Sequence, residues 1–187
     1  MQSTSLDKSN KDLCNKKLSK KDSKELHKEG KYLFQNPTEL AGLAPADFDK
    51  ALVPIRKYLE QFDEDGKLGD LMLVQNVTNH LVDGLYVREL LIPKGSFIIS
   101  RVHKRALVNI ISTGKVVVVD SNGINEYTAP STFISKSGTQ RIVIAIEESV
   151  WNTVHKTDVT DTDDLVNDLT SDNYSDHIAY KQLTYQE

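Results

Sequence analysis

A mainly β fold with helical extensions is predicted by a change in hydrophobic period along the chain. From Leu85 onward, apolar and polar residues alternate and β-branched residues dominate, which is typical of half-buried strands. Eight short segments of this kind follow one another, and their spacing fits a barrel or a sandwich. They are LYVRELLIP, SFIISRVH, LVNIIS, KVVVVD, INEYTA, TFISK, RIVIAIEE and VWNTVHKT.

Turn signals separate these segments, and the strongest is Asn122-Gly123. Both residues tolerate the positive φ that a type I′ hairpin turn requires, so we expect a strand on either side. Strands that close on themselves protect their edges, which leaves alternate residues in the interior. The residues expected to be mostly buried are Val87, Leu91, Ile110, Val117, Val119, Phe133, Ile142, Ile144 and Val154.

Helices are predicted on both sides of the β region. Between Pro45 and Phe62, apolar residues recur at spacings of three and four, which indicates a helix that bends or splits at Pro54. The next apolar stretch, LMLVQNVTNHLVDG, is compatible with either a strand or a helix. After the last strand, Thr160 or Asp161 can cap a short helix.

Composition divides the chain into four parts. Residues 1–30 form a polar arm with eight lysines against five acidic residues, too poor in apolar residues to order itself without a partner. Residues 31–84 form a helical extension and connector, and residues 85–157 form the β-barrel. Residues 158–187 form a short helix and an acidic tail, which we expect to pack only in an assembly.

The overall composition excludes several classes of protein. The formal net charge of -4 over 187 residues gives no general attraction to nucleic acid or to an anionic membrane. Cys14 is the single cysteine, so no intramolecular disulfide can form. No run of about 18 apolar residues occurs, and the first residues lack the order of a signal peptide. We therefore expect a soluble, cytosolic protein with neither a membrane nor a nucleic-acid partner.

The stretch from Gly84 to about Asp168 resembles a family of small cupin-like proteins associated with tailed bacteriophages and prophages. The resemblance covers about half of the chain and rests on GLYVRELLIPKG, RVHKRALVNIISTGKVVVV with its NG turn, APSTFISKSGTQR and VWNTVHKTDVTD. It implies a small cupin-like β-barrel, or jelly roll, located in the virion or in the host cytoplasm.

The resemblance also implies where a metal site would lie, because a cupin metal site gathers about three histidines and a carboxylate inside the barrel. In the first motif His103 is present, but Leu107 stands where related proteins carry another histidine, and Asn109 replaces the usual carboxylate. In the second motif Arg141 occupies a histidine position, and a guanidinium repels a divalent cation. With His155 the chain offers at most two imidazoles, so we expect neither a metal nor another cofactor.

The same residues suit a different ligand. His103, Asn109, Arg141 and His155 would converge in the cavity with Trp151 as an apolar wall. Arginine donates two parallel hydrogen bonds to a carboxylate or phosphate. The alternative is that these are hydrogen-bonded structural residues and that the tryptophan belongs to the core. The sequence carries no common catalytic motif, so no residue is assigned a catalytic role, and an enzyme is the less favoured alternative.

Three functions follow from these observations. The first is a non-catalytic phage-type module, a virion-associated or assembly protein that self-associates and contacts other particle proteins through its tails. The lysine-rich arm and the acidic end, with eight acidic residues against two lysines after His155, favour it. The alternatives are a cupin that binds a small anionic metabolite or sugar derivative, and a metal-dependent isomerase or oxygenase.

Overall fold

The computed structural model describes residues 20–63, 75–160 and 162–184. The helices are α1 (Lys20–Gln35), a 3-10 turn (Pro37–Leu40), α2 (Pro45–Asp63), α3 (Thr162–Leu169) and α4 (Tyr174–Thr184). The strands are β1 (Gln75–Val82), β2 (Leu85–Ile92), β3 (Phe97–Ile99), β4 (Val102–His103), β5 (Leu107–Thr113), β6 (Lys115–Asp120), β7 (Gly123–Thr128), β8 (Ser131–Ser135), β9 (Arg141–Ala145), β10 (Ser149–Lys156) and β11 (Thr170–Ser171).

The strand order defines a jelly roll. One sheet has the order β1-β2-β10-β5-β8, a second has the order β3-β9-β6-β7, and a short third sheet pairs β11 with β4. All of these pairings are antiparallel. The eight barrel strands are those that remain when β1 and the two short strands β4 and β11 are set aside. Counted along the chain, the first sheet then contains barrel strands one, eight, three and six, and the second sheet contains the other four, which is the jelly-roll arrangement. The predicted fold class, a jelly roll with an N-terminal helical extension and a short C-terminal helix, is confirmed.

At two hairpin turns the structure differs from the sequence prediction in the type or the position of the turn. The segment LMLVQNVTNHLVDG, for which the sequence allows a strand or a helix, forms β1 from Gln75 onward, while its first four residues lie outside the described residues. Strand β1 turns into β2 at Asp83-Gly84. Both turn residues have positive φ, 43° and 79°, as a type I′ turn requires. The hairpin predicted at Asn122-Gly123 also forms, but its loop is Ser121-Asn122. The positive φ falls on Gly123 alone, so this second turn is not type I′.

Strands β3, β6 and β9 of the four-stranded sheet are covered on both faces, whereas the edge strand β7 is largely exposed. The inner face of this sheet and the five-stranded sheet enclose one apolar cluster, whose members are Ile92, Ile111, Val116, Val118, Val143, Ala145 and Trp151. The outer face of the same sheet packs against α1, the 3-10 turn and α2 in a second cluster, formed by Leu40, Phe48, Leu52, Ile55, Tyr58, Leu59, Phe97, Val119 and Ile142. This double burial explains why KVVVVD is apolar without alternation.

The predicted burial pattern is wrong in phase for most of the strands. Val119 and Ile142 are fully buried, but they face the helices rather than the barrel interior. Val117 and Ile144 lie on the same outer face and are only partly buried. The other five residues predicted to be interior are only half-buried, namely Val87, Leu91, Ile110, Phe133 and Val154. Of these five, Phe133 is the one that packs against the interior cluster. Side chains alternate between the two faces of a strand, so an error of one residue in the predicted pattern exchanges the inner and the outer face.

The lysine-rich arm and the helical extension are joined by one helix, because α1 runs through residue 30. Gly30 is buried against α2, and the rings of His27 and Phe34 both contact the ring of Tyr58 at 5.2 and 5.6 Å between centroids. The expectation that order in the arm requires another chain is therefore wrong for residues 20–30, because α2 of the same chain supplies the packing surface.

Helix α2 is itself continuous through Pro54, so it does not split at this residue.

The predicted acidic tail contains a second helix that packs on the same chain. The backbone N–H at the start of α4 (Tyr174) donates to Asp49 Oδ2 at 3.0 Å, and His177 on this helix is 1% exposed. Packing of this segment therefore does not require an assembly.

Among the helices of the described residues, none is both long and apolar enough to cross a membrane.

The contact between α1 and α2 predicts an unusual response to a helix-favouring substitution. In an exposed helix, replacing glycine with alanine stabilises by about 1 kcal/mol. At Gly30 an added Cβ would lie 1.9 Å from the carbonyl oxygen of Pro54. We expect Gly30→Ala to lower the free energy of unfolding by about 1 to 3 kcal/mol in urea titrations. Ser23→Ala, at an exposed position of the same helix, is the control. Equal stability of both variants would contradict this packing.

Candidate functional site

A cavity of about 440 Å³ lies inside the barrel, next to helix α3. All five residues that the sequence singles out as ligand-binding line it, namely His103, Asn109, Arg141, Trp151 and His155. They come from the β4, β5, β9 and β10 strands, so residues distant in sequence meet through the jelly-roll order. The structure thus brings the predicted site residues together, and their role in binding stays a prediction.

Arg141 is the charged residue of the cavity interior. Its side chain is 3% exposed, and its guanidinium lies over the ring of Trp151, 5.5 Å from the ring centroid. Nη1 donates to Asn109 Oδ1 at 3.4 Å and Nη2 donates to Ser135 Oγ at 2.6 Å, while Nε has no partner. Burial lowers the pKa of Arg141 to about 10, so the group is cationic at neutral pH.

Asn109 is held in place by the groups around it. Its Oδ1 accepts hydrogen bonds from Trp151 Nε1 at 3.2 Å and from Arg141, and its Nδ2 donates to Ser135 Oγ at 2.9 Å. These four side chains form one buried network around the guanidinium. Ser135 escaped the sequence analysis, although the alternation of TFISK places it on the same face as Phe133.

Two neutral histidines lie further along the cavity. The rings of His103 and His155 are 5.9 Å apart, His155 Nε2 is 3.1 Å from Thr153 Oγ1, and His103 Nδ1 is buried without a partner. Burial lowers the pKa of His155 to about 4, and the charges of Arg88 and Arg141 act in the same direction. Burial first, and then Arg141, also hold the pKa of His103 well below its usual value. Both rings are therefore uncharged at pH 7.

The electrostatic balance of the cavity is one-sided. Arg88, Arg101 and Arg141 line it, and no aspartate or glutamate is found among its described lining residues. Arg101 pairs with Asp172 at 2.6 Å, but the ion pairs of the described residues do not include Arg88 or Arg141. The sequence analysis did not identify Arg88, because it assigned Val87 instead of Arg88 to the inner face of β2.

A divalent metal does not fit this set of residues. The cavity offers two imidazoles beside a guanidinium, without the carboxylate that would complete a cupin metal site. Throughout residues 20–63, 75–160 and 162–184, no three histidine, cysteine, aspartate or glutamate side chains gather in a way that could hold a metal ion.

Helix α3 supplies one wall of the cavity through Leu165 and Leu169, which are 2% and 4% exposed. The helix is fixed by Asp168, whose carboxylate accepts two hydrogen bonds from Arg105 at 2.8 and 2.9 Å and one from Thr157 Oγ1 at 2.9 Å. Burial opposes ionisation of Asp168, but these hydrogen bonds outweigh it and lower the pKa of the carboxyl. The apolar wall is thus held by polar groups outside the cavity.

Neither a protein-family model nor a curated protein matches the chain. Similar solved structures include a cupin-superfamily protein from Desulfitobacterium hafniense, with 8% identity over 46% of this chain and 82% of that one, at a TM-score of 0.39. A cupin-2 domain protein from Shewanella frigidimarina shares 11% identity over 50% and 91%, also at 0.39. An acetylacetone dioxygenase from Acinetobacter johnsonii shares 19% over 43% and 58%, again at 0.39. The jelly-roll assignment rests on the strand order of this chain itself.

The neutral histidines predict how stability depends on pH. Unfolded His155 takes up a proton near pH 6.5, whereas the folded residue does so only near pH 4. Between these values the unfolded state binds more protons, so stability falls as the pH falls, by up to about 3 kcal/mol for this residue. We expect urea titrations at pH 4.5, 5.5 and 6.5 to show a weaker pH dependence for His155→Gln. His80→Gln, at an exposed position of β1, is the control. An unchanged pH dependence in His155→Gln would show that this ring is not buried neutral.

Proposed function

We propose that this chain is a non-catalytic, cupin-like module that binds a small anionic ligand inside its barrel. The observation that carries the proposal is Arg141, a nearly fully buried guanidinium whose hydrogen-bond partners, Asn109 and Ser135, are both neutral. Buried charges in proteins are ordinarily paired with an opposite charge. An anion in the cavity would supply the missing partner.

A purely structural role explains the arginine less well. Asp120, the cross-strand neighbour of Arg141 on β6, favours the charged form of the guanidinium, but the ion pairs of the described residues do not join the two. Burying a cation without an anion in contact costs several kcal/mol, and an apolar residue of similar volume would fill the same space without that cost. The unused Nε of Arg141 and the unused Nδ1 of His103 are both buried in this region. Donors left free in a cavity of about 440 Å³ suit a ligand that accepts hydrogen bonds.

Binding of an anion would also change the histidines. Burial lowers the pKa values of both rings most, and the positive charges of Arg88 and Arg141 lower them further, so an anion among these groups would offset the part that is due to charge. Binding is then coupled to proton uptake, so the affinity rises as the pH falls towards 5.

Replacing Arg141 with methionine separates binding from folding. Loss of charge-assisted hydrogen bonds should weaken formate binding by about ten- to a hundredfold. The free energy of unfolding should change by less than about 1 kcal/mol, because relief of the buried charge offsets the lost hydrogen bonds. Trp151, the chain's single tryptophan, contacts the guanidinium, so its fluorescence reports on formate titrations.

The matched control is Arg56→Met on α2, which removes an arginine outside the cavity and should leave formate binding unchanged. A loss of 3 kcal/mol or more of stability in Arg141→Met, with no formate binding by the wild-type protein, would show that the arginine is structural.

Self-association is a second candidate function, favoured by the outer face of the five-stranded sheet. Val87, Val154, Val108 and Ile134 are cross-strand neighbours and form one apolar row across β2, β10, β5 and β8. Ile134 is 63% exposed. Sheets bury such faces by packing against another sheet, and a second copy offers one of the same shape. Association with phage particles rests on the sequence resemblance alone and stays a prediction.

Two exposed isoleucines provide a matched test of self-association. Ile134→Glu places a charge in the apolar row, whereas Ile124→Glu places one on β7, in the other sheet. We expect sedimentation analysis to show dimers for the wild-type protein and Ile124→Glu, and monomers for Ile134→Glu. A wild-type protein that stays monomeric at high concentration would remove this candidate.

A further inference from the structure

We propose that the ligand of this cavity is a monocarboxylate with an apolar body, bound with its carboxylate at Arg141 and its body against the apolar walls. The inference rests on the proposed function and specifies its ligand class. Two features of the cavity carry it, the single desolvated positive charge of Arg141 and the apolar surface that lines the remaining space.

The charge at this end of the cavity matches a carboxylate better than a phosphate group. Arg141 keeps Nε buried without a partner, and His103 Nδ1 is a second such nitrogen of the lining. Arg101 Nε is a third, but the guanidinium of Arg101 is already paired with Asp172. The single charge of Arg141 suits the single charge of a carboxylate, whereas a phosphate group carries about two negative charges at neutral pH.

A second anionic group would find weaker partners. Arg101 is already paired with Asp172, and Arg88 is an exposed residue whose charge is screened by water. The strong, desolvated interaction is therefore confined to the Arg141 end. This arrangement favours a ligand with one charge at one end.

The walls around this polar end are apolar. They are formed by side chains from both sheets and from α3, namely Leu90, Ile92, Ile98, Val143, Leu165 and Leu169. The two leucines of α3 are almost fully buried on a helix of only eight residues, which is held in place by the contacts of Asp168 with Arg105 and Thr157. A chain that extends from the carboxylate would displace water from these surfaces and gain affinity with each buried methylene.

The test is a fluorescence titration of Trp151 in the full chain with acetate, butyrate and hexanoate. We expect affinity to increase on the order of fourfold per buried methylene. Hexanol, which keeps the chain but lacks the charge, should bind at least tenfold more weakly than hexanoate. Adipate, which carries a second carboxylate at the far end, should also bind more weakly, because burying that charge among apolar side chains is costly.

The outcomes separate this inference from the proposed function. Binding of formate and acetate through Arg141, without a gain from butyrate or hexanoate, would overturn the apolar body and leave anion binding intact. Tighter binding of adipate or inorganic phosphate than of hexanoate would overturn the monocarboxylate in the same way. Failure of every anion to bind would remove both.

Variants of the apolar wall provide an independent check. Leu165→Val shortens a side chain that lines the cavity, and it should reduce the advantage of hexanoate over acetate several-fold while leaving acetate affinity unchanged. Leu107→Val removes the same methylene from a buried position outside this cavity and is the matched control. An equal advantage of hexanoate in all three proteins would contradict contact between the ligand chain and α3.

Discussion

The buried positive charge of Arg141 is the constraint on which the arrangement of the cavity depends. Its partners Asn109 and Ser135 are hydrogen-bonded to each other, and the oxygen of Asn109 also holds the indole of Trp151. The orientations of Asn109, Ser135 and Trp151 are therefore fixed by these hydrogen bonds. If the proposed anion binds, a site preorganised in this way would lose little free energy to reordering.

The strand that carries Arg141 is itself fixed from both sides. Strand β9 packs towards the barrel through Val143 and Ala145, and towards α1 and α2 through Ile142. The helical extension thus closes a second apolar layer over the four-stranded sheet, and its removal would expose that layer to water. Strand β3 has the same double contact, because Phe97 packs against the helices and Ile98 lines the cavity. The helical extension and the cavity are therefore linked through two strands of this sheet.

Much of the fold could be predicted from the sequence, because the strands, the helix from Pro45 and the hairpin near Asn122 each carry a local signal. Which face of each strand points into the barrel could not be predicted. A run such as KVVVVD is apolar at successive positions because both faces of its strand are buried, so the sequence does not show which face meets the helices. The same error concealed Arg88. His103 and Arg141 were found through motif positions, which do not depend on phase, whereas the packing of residues 20–30 on α2 depends on Gly30 and has no signal in composition.

The positive charges of the cavity couple the response of the protein to acid with the proposed binding of an anion. In the empty barrel, protonation of His103 or His155 would add a cation beside two arginines, so acid works against the fold. An anion at Arg141 would offset the repulsion from the arginines, so the same protonation would cost less in the occupied protein. If the proposed ligand binds, occupancy would therefore raise the pKa values of the histidines and weaken the destabilising effect of acid.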